Sequence, residues 1–321
     1  MSAPAVQLPG VRYVLTAALV GLLAACGGGS SGKESSPATQ KGAQLPPWVK
    51  EALTAKTGPD VAATMGSEDF AVGDNRLVFL VVRENGALVQ IPTATVEYAL
   101  EGGQPRIAKA VLQPLGAHEH ADEDAPHDHL DVTDVYVAHV QAPKPGRYWF
   151  VADPAGESIQ AVGTLEVQKR SVSPALGAKA PASDNPTLAT APVKEITTAR
   201  PPDTELLRES IADSIQAHVP FVVVFATPEF CVSRVCGPTV EVVESVAKKF
   251  ARSGVRFIHV EIYTDNDPKK GFNRWVQEWN LPTEPWVFLV DGNGVIRGKF
   301  EGAVSVDELE SAVREDLRNA P

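Results

Sequence analysis

Two residues in this chain have the chemistry of a reaction centre, Cys231 and Cys236, within the run Phe221-Val-Val-Val-Phe-Ala-Thr-Pro-Glu-Phe-Cys-Val-Ser-Arg-Val-Cys-Gly-Pro-Thr-Val240. A cysteine reacts as its thiolate, so what matters is whether the surroundings favour that form. Gly237-Pro238 opens a helical pattern, and proline suits a first helical turn because its missing N–H would have had no partner there. Cys236 is thereby placed near a helix N-terminus, where unpaired N–H groups and the helix dipole favour negative charge. The preceding Phe221–Ala226 is continuously apolar, β-branched and aromatic, which predicts a central strand covered on both faces. In a regular helix, residues five apart differ by about 7.5 Å in rise, whereas a disulfide needs Cα atoms within roughly 7 Å. If the two cysteines join, 231–235 must therefore be irregular, and Pro228 and Gly237-Pro238 bracket it with residues that allow this.

A second cluster is His118-Glu-His-Ala-Asp-Glu-Asp-Ala-Pro-His-Asp-His129, which holds four of the seven histidines. His118, His120, His127 and His129 lie amid carboxylates, a composition that can take Cu²⁺ or Zn²⁺ through imidazole and carboxylate. It lacks the ligand spacing of a structural zinc site, and the plainer reading is a solvated acidic loop between two strands. No other cofactor is expected. His259 falls in a buried strand and reads as a hydrogen-bonded core histidine. Glu261 shares its strand face by the period of two, placed either as a proton acceptor for a buried cysteine or at a loop end. Trp275, Trp279 and Trp286 surround the 280–285 loop and read as core and rim of a docking surface.

The formal net charge of −11 and the absence of a dense Lys/Arg patch argue against nucleic acid as a partner. Near the N-terminus, Val14–Ala25 is a short apolar run preceded by Arg12, a signal-peptide pattern rather than a membrane span. It ends Leu23-Ala24-Ala25-Cys26-Gly27, which resembles the lipobox of bacterial lipoproteins. That resemblance implies a signal peptide over 1–25, lipidation of Cys26, and attachment to the extracytoplasmic face of the cell membrane. Of the three cysteines, Cys231 and Cys236 then remain, in a compartment where a disulfide persists.

These residues are distributed over two predicted domains. Residues 26–58 form a Gly/Ser-rich tether ending in a short helix from Pro46, with Trp48 packing against the adjoining domain. Residues 59–169 carry strands at 75–83, 87–91, 93–100, 132–140, 147–152 and 161–168, with Glu84-Asn85-Gly86 as a hairpin turn. Short strands between turn signals predict a β-sandwich, and the run from Asp69 to Phe79 resembles immunoglobulin-like modules of bacterial exported proteins. Residues 170–202, rich in Pro, Ala, Ser and Thr, read as a linker. In 203–321, Asp203 caps a helix presenting Leu206, Leu207, Ile211 and Ile215. Then come a strand at 219–226, a helix at 238–252, a strand at 255–262, a helix at 268–279, strands at 286–291 and 295–300 about the turn Asp291-Gly-Asn-Gly294, and a helix at 305–318 opened by the capping box Ser305-Val-Asp-Glu308.

That β-α-β-α-β-β-α order resembles the thioredoxin fold. Cys236-Gly-Pro-Thr239 is similar to the Cys-Gly-Pro-Cys of thioredoxins, with Thr239 for the second cysteine, and Glu284-Pro285 stands where that fold has its cis-proline. The resemblance implies a thiol at Cys236 and substrate docking at Pro285. Thr227-Pro-Glu-Phe-Cys-Val-Ser-Arg-Val-Cys236 also resembles the bacterioferritin-comigratory peroxiredoxins, which would make Cys231 peroxidatic, Thr227 a peroxide-positioning hydroxyl and Cys236 resolving. One extra residue separates Thr227 from Cys231, and Glu284-Pro285 replaces that family's arginine. The leading expectation is a membrane-anchored, extracytoplasmic thiol–disulfide oxidoreductase using Cys231, Cys236 and Pro285, with protein thiols or disulfides as partners. The alternatives are a Sco-like copper- or zinc-handling lipoprotein, a thiol peroxidase, and an anchored scaffold with a vestigial redox domain. Which sulfur attacks first is left open.

Overall fold

A computed structural model describes residues 45–55, 58, 61–115, 132–158, 160–231 and 235–317. The run expected to be a signal peptide, Cys26 and the histidine run 118–129 lie outside the described residues. Residues 45–321 form one compact unit, with a β region and an α/β region. Among the described residues no helix is long and apolar enough to cross a membrane.

Helix α1 (Pro47–Ala55) leads into β1 (Val61–Met65), β2 (Gly73–Arg83), β3 (Thr93–Leu100), β4 (Arg106–Pro114), β5 (Asp134–Ala142), β6 (Gly146–Pro154) and β7 (Ala161–Val167). Trp48 packs on β6 beside Trp149 and Val151, as the sequence predicts. The seven strands form one antiparallel sheet in the order β1-β2-β5-β4-β3-β6-β7. It nearly closes on itself, because Val72 N–H donates to the Gln168 carbonyl and Gln168 N–H to the Phe70 carbonyl. The expected sandwich of two separate sheets is thus replaced by a single rolled one. The reason is β4, whose Ala, Lys and Gln are poor strand formers and which the sequence does not announce. It pairs with β3 from Thr93↔Val111 to Tyr98↔Arg106 and with β5. Segment 87–91, expected as a strand, makes only the isolated bridge Val82↔Leu88. At the centre of the roll Phe79 stacks on Tyr136 and packs at a tilt against Phe150.

The α/β region contains α2 (Val193–Ile196), α3 (Ile211–Gln216), β8 (Phe221–Phe225), α4 (Cys236–Phe250), β9 (Arg256–Val260), α5 (Arg274–Glu278), β10 (Trp286–Val290), β11 (Ile296–Glu301) and α6 (Val306–Ala312). The expected element order from β8 onward is present. Its sheet runs β11-β10-β8-β9, with β8 parallel to β9 and antiparallel to β10. All five β8 side chains are buried, as a strand covered on both faces requires. The helix expected after Asp203 is broken in two: Asp203 caps a single 3₁₀ turn at Thr204–Leu207, and Ser210 caps α3 afresh.

The outer face of the β region is bolted to this sheet. Leu77, Phe79 and Val81 point into the roll, whereas Val78 points outward into a cluster with Leu115, Val132, Val135, Val137, Val235 and Ala303. Arg76 donates to both carboxylate oxygens of Glu308 at 2.7 Å and to the carbonyls of Glu301 and Ala303. Ser305 caps α6 as expected, but Glu308 is turned to Arg76. Glu301 accepts from Asp69 N–H at 2.8 Å and from the Thr283 hydroxyl at 2.7 Å. The backbones touch at Gly302, whose φ is 72° and where a Cβ would collide with the Gly66 carbonyl oxygen.

Segment 170–202 is irregular, but it is a packed strap rather than a plain linker. Ser171, Val172 and Ser173 all donate to Asp69, Lys179 bridges to Val295, and Ser183, Asn185, Thr187, Thr197 and Thr198 are buried. The strap ties the β region to β9 and β11.

Candidate functional site

Strand β8 continues through buried Ala226 and Thr227 to Pro228, where the chain leaves the sheet. Cys231 and Cys236 are joined as a disulfide with Cα atoms 5.9 Å apart, within the range a disulfide spans. Cys231 lies outside any helix, and α4 begins at Cys236, so the irregularity required by the five-residue interval is present. Pro238 falls in the first turn of α4. Thr239 is buried, and its hydroxyl donates to the Val235 carbonyl at 2.7 Å, one turn back. It serves the helix terminus where Cys-Gly-Pro-Cys would supply a sulfur.

The two sulfurs are not equivalent. Cys236 is 0% exposed, inside an apolar cluster with Leu206, Val240 and Val287, while Cys231 packs at that cluster's margin and is only partly buried. The N–H of Cys236, one of the first-turn groups without an intrahelical partner, donates to Cys231 Sγ at 3.3 Å. Once the bond is cleaved, that N–H and the α4 dipole stabilise a thiolate on Cys231. On one side Val235 is buried beneath the outer face of β2 and β5. On the other, a cleft of about 430 Å³ is lined by Pro228, Glu229, Gly237 and Glu241 and by strap residues Thr198 and Arg200.

Pro285 lies where the sequence places it. The Glu284–Pro285 peptide is cis, the Pro285 carbonyl accepts from Gly302 N–H at 2.9 Å, and the register Trp286↔Phe225 sets it at the sheet edge from which the cysteine loop departs. Trp286 and Trp279 are fully buried and belong to the core rather than to an exposed rim.

Glu284 is half-buried, and burial pushes its carboxyl above the ordinary carboxylate range. Tyr263 is pushed upward by burial, then by the charges of Glu284 and Glu261. A carboxyl raised on folding costs stability as pH rises, because the unfolded chain ionises first. Glu284→Gln should therefore raise the melting temperature at pH 7 to 8. The gain should shrink as pH falls through the folded-state and then the ordinary carboxylate range and be gone below it. Thermal melts across pH check this, and a gain of equal size in strong acid would contradict it.

His259 and Glu261 are both buried, and neither is offered to the sulfurs. His259 donates from Nε2 to the Ala226 carbonyl at 3.0 Å and accepts at Nδ1 from the Thr197 hydroxyl at 3.3 Å. Glu261 accepts from Thr198 N–H at 2.5 Å and from its hydroxyl at 2.6 Å. The proton-acceptor placement of Glu261 is not the one found. Thr197, Thr198 and Arg200 were not legible as site residues: their composition reads as linker, and only the β-branched Ile196-Thr-Thr triplet hints at burial. Thr227 Oγ1 is buried with no hydrogen-bond partner. Among the described residues no group of three or more His, Cys, Asp or Glu is placed to hold a metal ion.

Among solved structures, part of the chain is similar to a thiol:disulfide interchange protein, a thioredoxin family protein, from Chlorobium tepidum TLS. Identity is 17% and the TM-score 0.28, over 34% of this chain and 86% of that one. Over 36% of its length the chain is also similar to the Lin-41 filamin domain, at 10% identity and a TM-score of 0.22, covering 100% of that chain. No family model and no curated protein matches the chain.

Proposed function

We propose that this chain is a membrane-anchored, extracytoplasmic thiol–disulfide oxidoreductase in which Cys231 exchanges with the partner and Cys236 resolves. The observation that carries the reading is the asymmetry of the pair: an accessible sulfur that accepts a helix N-terminal N–H, bonded to a wholly buried one. Acting as oxidant, the disulfide is attacked at Cys231 by a partner thiolate, and Cys236 leaves as thiolate and takes a proton. A second partner thiol then loses its proton and attacks its own sulfur in the mixed disulfide, expelling Cys231 as thiolate. The partner loses two electrons and becomes a disulfide; the protein gains them as a dithiol. Acting as reductant, every step runs backwards. Membrane attachment rests on the lipobox at Cys26, and Pro285 is assigned to docking by its place at the cysteine edge. The test is turnover: the purified protein should speed reduction of insulin by dithiothreitol or oxidation of a dithiol peptide. Absence of both, with a disulfide that dithiothreitol cannot open, would refute the reading.

One observation favours a second reading, transfer of copper or zinc as cargo. Leu115 and Val132, which flank the histidine run, pack in the same cluster as Val235, next to Cys236. His259, on the strand beside the cysteine loop, has both nitrogens engaged. In this reading the imidazole donors beside the two sulfurs would be His118, His120, His127 and His129. Metal content after mild purification decides: stoichiometric copper or zinc lost from the Cys231→Ser protein favours cargo transfer.

A further inference from the structure

The chain leading into Cys231 is held from β9, partly through a side chain of the strap. Glu261 comes directly after the last residue of β9 and is 5% exposed. One of its carboxylate oxygens receives both the N–H and the hydroxyl of Thr198. A hydroxyl has one proton to give and two lone pairs. With that proton committed to Glu261, Thr198 Oγ1 becomes an acceptor, and it takes the N–H of Glu229 at 3.2 Å. Glu229 is two residues before Cys231. Two residues back along β9, His259 holds the Ala226 carbonyl, and Thr197 links His259 to Ala199 N–H at 3.0 Å. Arg200 adds an ion pair with Glu229 at 3.0 Å. The loop 226–229 is therefore fixed at one end by His259 directly and at the other by Glu261 through Thr198.

We infer that Thr198, oriented by Glu261, is a positioning residue that sets the reactivity and redox equilibrium of Cys231. The inference rests on the thiol-exchange reading. Two quantities depend on where Cys231 is held. The first is its distance to the Cys236 N–H, which stabilises the thiolate. The second is the effective concentration of one sulfur at the other, which sets how readily the disulfide closes. A loop freed from Thr198 loses both: the first loss favours the disulfide and the second favours the dithiol, and the second is the larger because ring closure falls steeply once Cys231 is no longer held beside Cys236.

The experiment uses the full-length protein in glutathione redox buffers, in which two glutathione thiols are oxidised to glutathione disulfide as Cys231–Cys236 is reduced to the dithiol. Acid quenching, alkylation and mass spectrometry read the reduced fraction. Thr198→Val keeps the side chain's shape and removes its hydroxyl. It should shift the equilibrium about tenfold toward the dithiol, equivalent to about 30 mV for two electrons. Alkylation of reduced Cys231 at neutral pH should slow severalfold, with its pH midpoint moved up. Thr198→Ser should restore both. Loss of global stability alone would leave equilibrium and pH midpoint unmoved in a folded protein. A folded Thr198→Val protein whose equilibrium lies within about twofold of the parent overturns the inference, as does Thr198→Ser behaving like Thr198→Val. Both readouts need only glutathione and an alkylating agent. A parent protein that equilibrates with glutathione but turns over no protein or peptide substrate counts against the functional reading alone.

Discussion

Cys231→Ser should reduce exchange with a partner disulfide by at least about a thousandfold, the scale of removing a nucleophile, while Cys236→Ser should stall with the partner bound to Cys231. The two variants lose the same cross-link. A loop this short gives its disulfide about 2 kcal/mol of entropic stabilisation, so both should melt earlier, Cys236→Ser by more because its hydroxyl enters the apolar cluster. Their trapping behaviour, compared in the folded proteins, reports chemistry. In Cys231→Ser the remaining thiol is 0% exposed, and no partner sulfur reaches it without opening the apolar cluster around Val240 and Val287. In Cys236→Ser the accessible sulfur keeps its N–H donor, because that donor is backbone. The first exchange step survives and the resolving step is lost. Non-reducing electrophoresis with a model disulfide protein distinguishes these outcomes. Equal trapping by both variants, or trapping only by Cys231→Ser, would reverse the assignment of roles.

Gly302→Ala should cost about 4 kcal/mol, larger than most point substitutions. Two terms add. Gly302 has φ 72°, where an alanine pays about 1–2 kcal/mol. Its new Cβ would also meet the Gly66 carbonyl oxygen, a backbone atom that cannot swing aside. Relief of the collision means separating the two regions locally, which loosens Arg76 from the Glu301 and Ala303 carbonyls. For a domain of this size the melting temperature should fall by roughly 10 °C. Gly66 is adjacent to Ser67, whose hydroxyl accepts from Val78 N–H at 3.0 Å, so the disturbance should reach the apolar cluster that buries Val235. Differential scanning calorimetry of the full-length protein gives the number, and a melting temperature within about 2 °C of the parent would mean that the Gly66–Gly302 contact does not form.

The α/β half was open to sequence reading because its signals are local. A five-residue apolar strand, a first-turn proline, the Asp291-Gly-Asn-Gly294 turn and the Ser305 cap each fix an element from within, and the structure has all of them. The cis peptide at Pro285 was implied by the resemblance to the thioredoxin fold, not by a local signal. What escaped depends on partners distant in the chain. Strand β4 is held by its neighbours on both sides rather than by propensity. Arg76 reads as one more charge in a strand until Glu308 is brought against it from 232 residues away. The doubly apolar run Leu77-Val-Phe-Leu-Val-Val82 did carry a usable signal, since alternation predicts one covered face and this run predicts two. The strap was hidden because Ser, Thr and Pro read alike whether they face water or hydrogen-bond a buried Asp69 or Glu261.

The seam at Arg76, Gly66 and Gly302, together with the strap, decides how this protein can be dissected. A fragment starting at residue 203 would carry both cysteines and Pro285, yet it would be stripped of Thr198 and Arg200. It would also lay bare Val235 and Ala303, which in the intact chain face Val78 and Val137. Grafting the 221–240 unit of strand, loop and helix onto another scaffold would forgo the same contacts. A fragment that keeps every contact around the cysteine loop runs from β1 to α6, and a swap of one half for another sequence must preserve the partners in the other half.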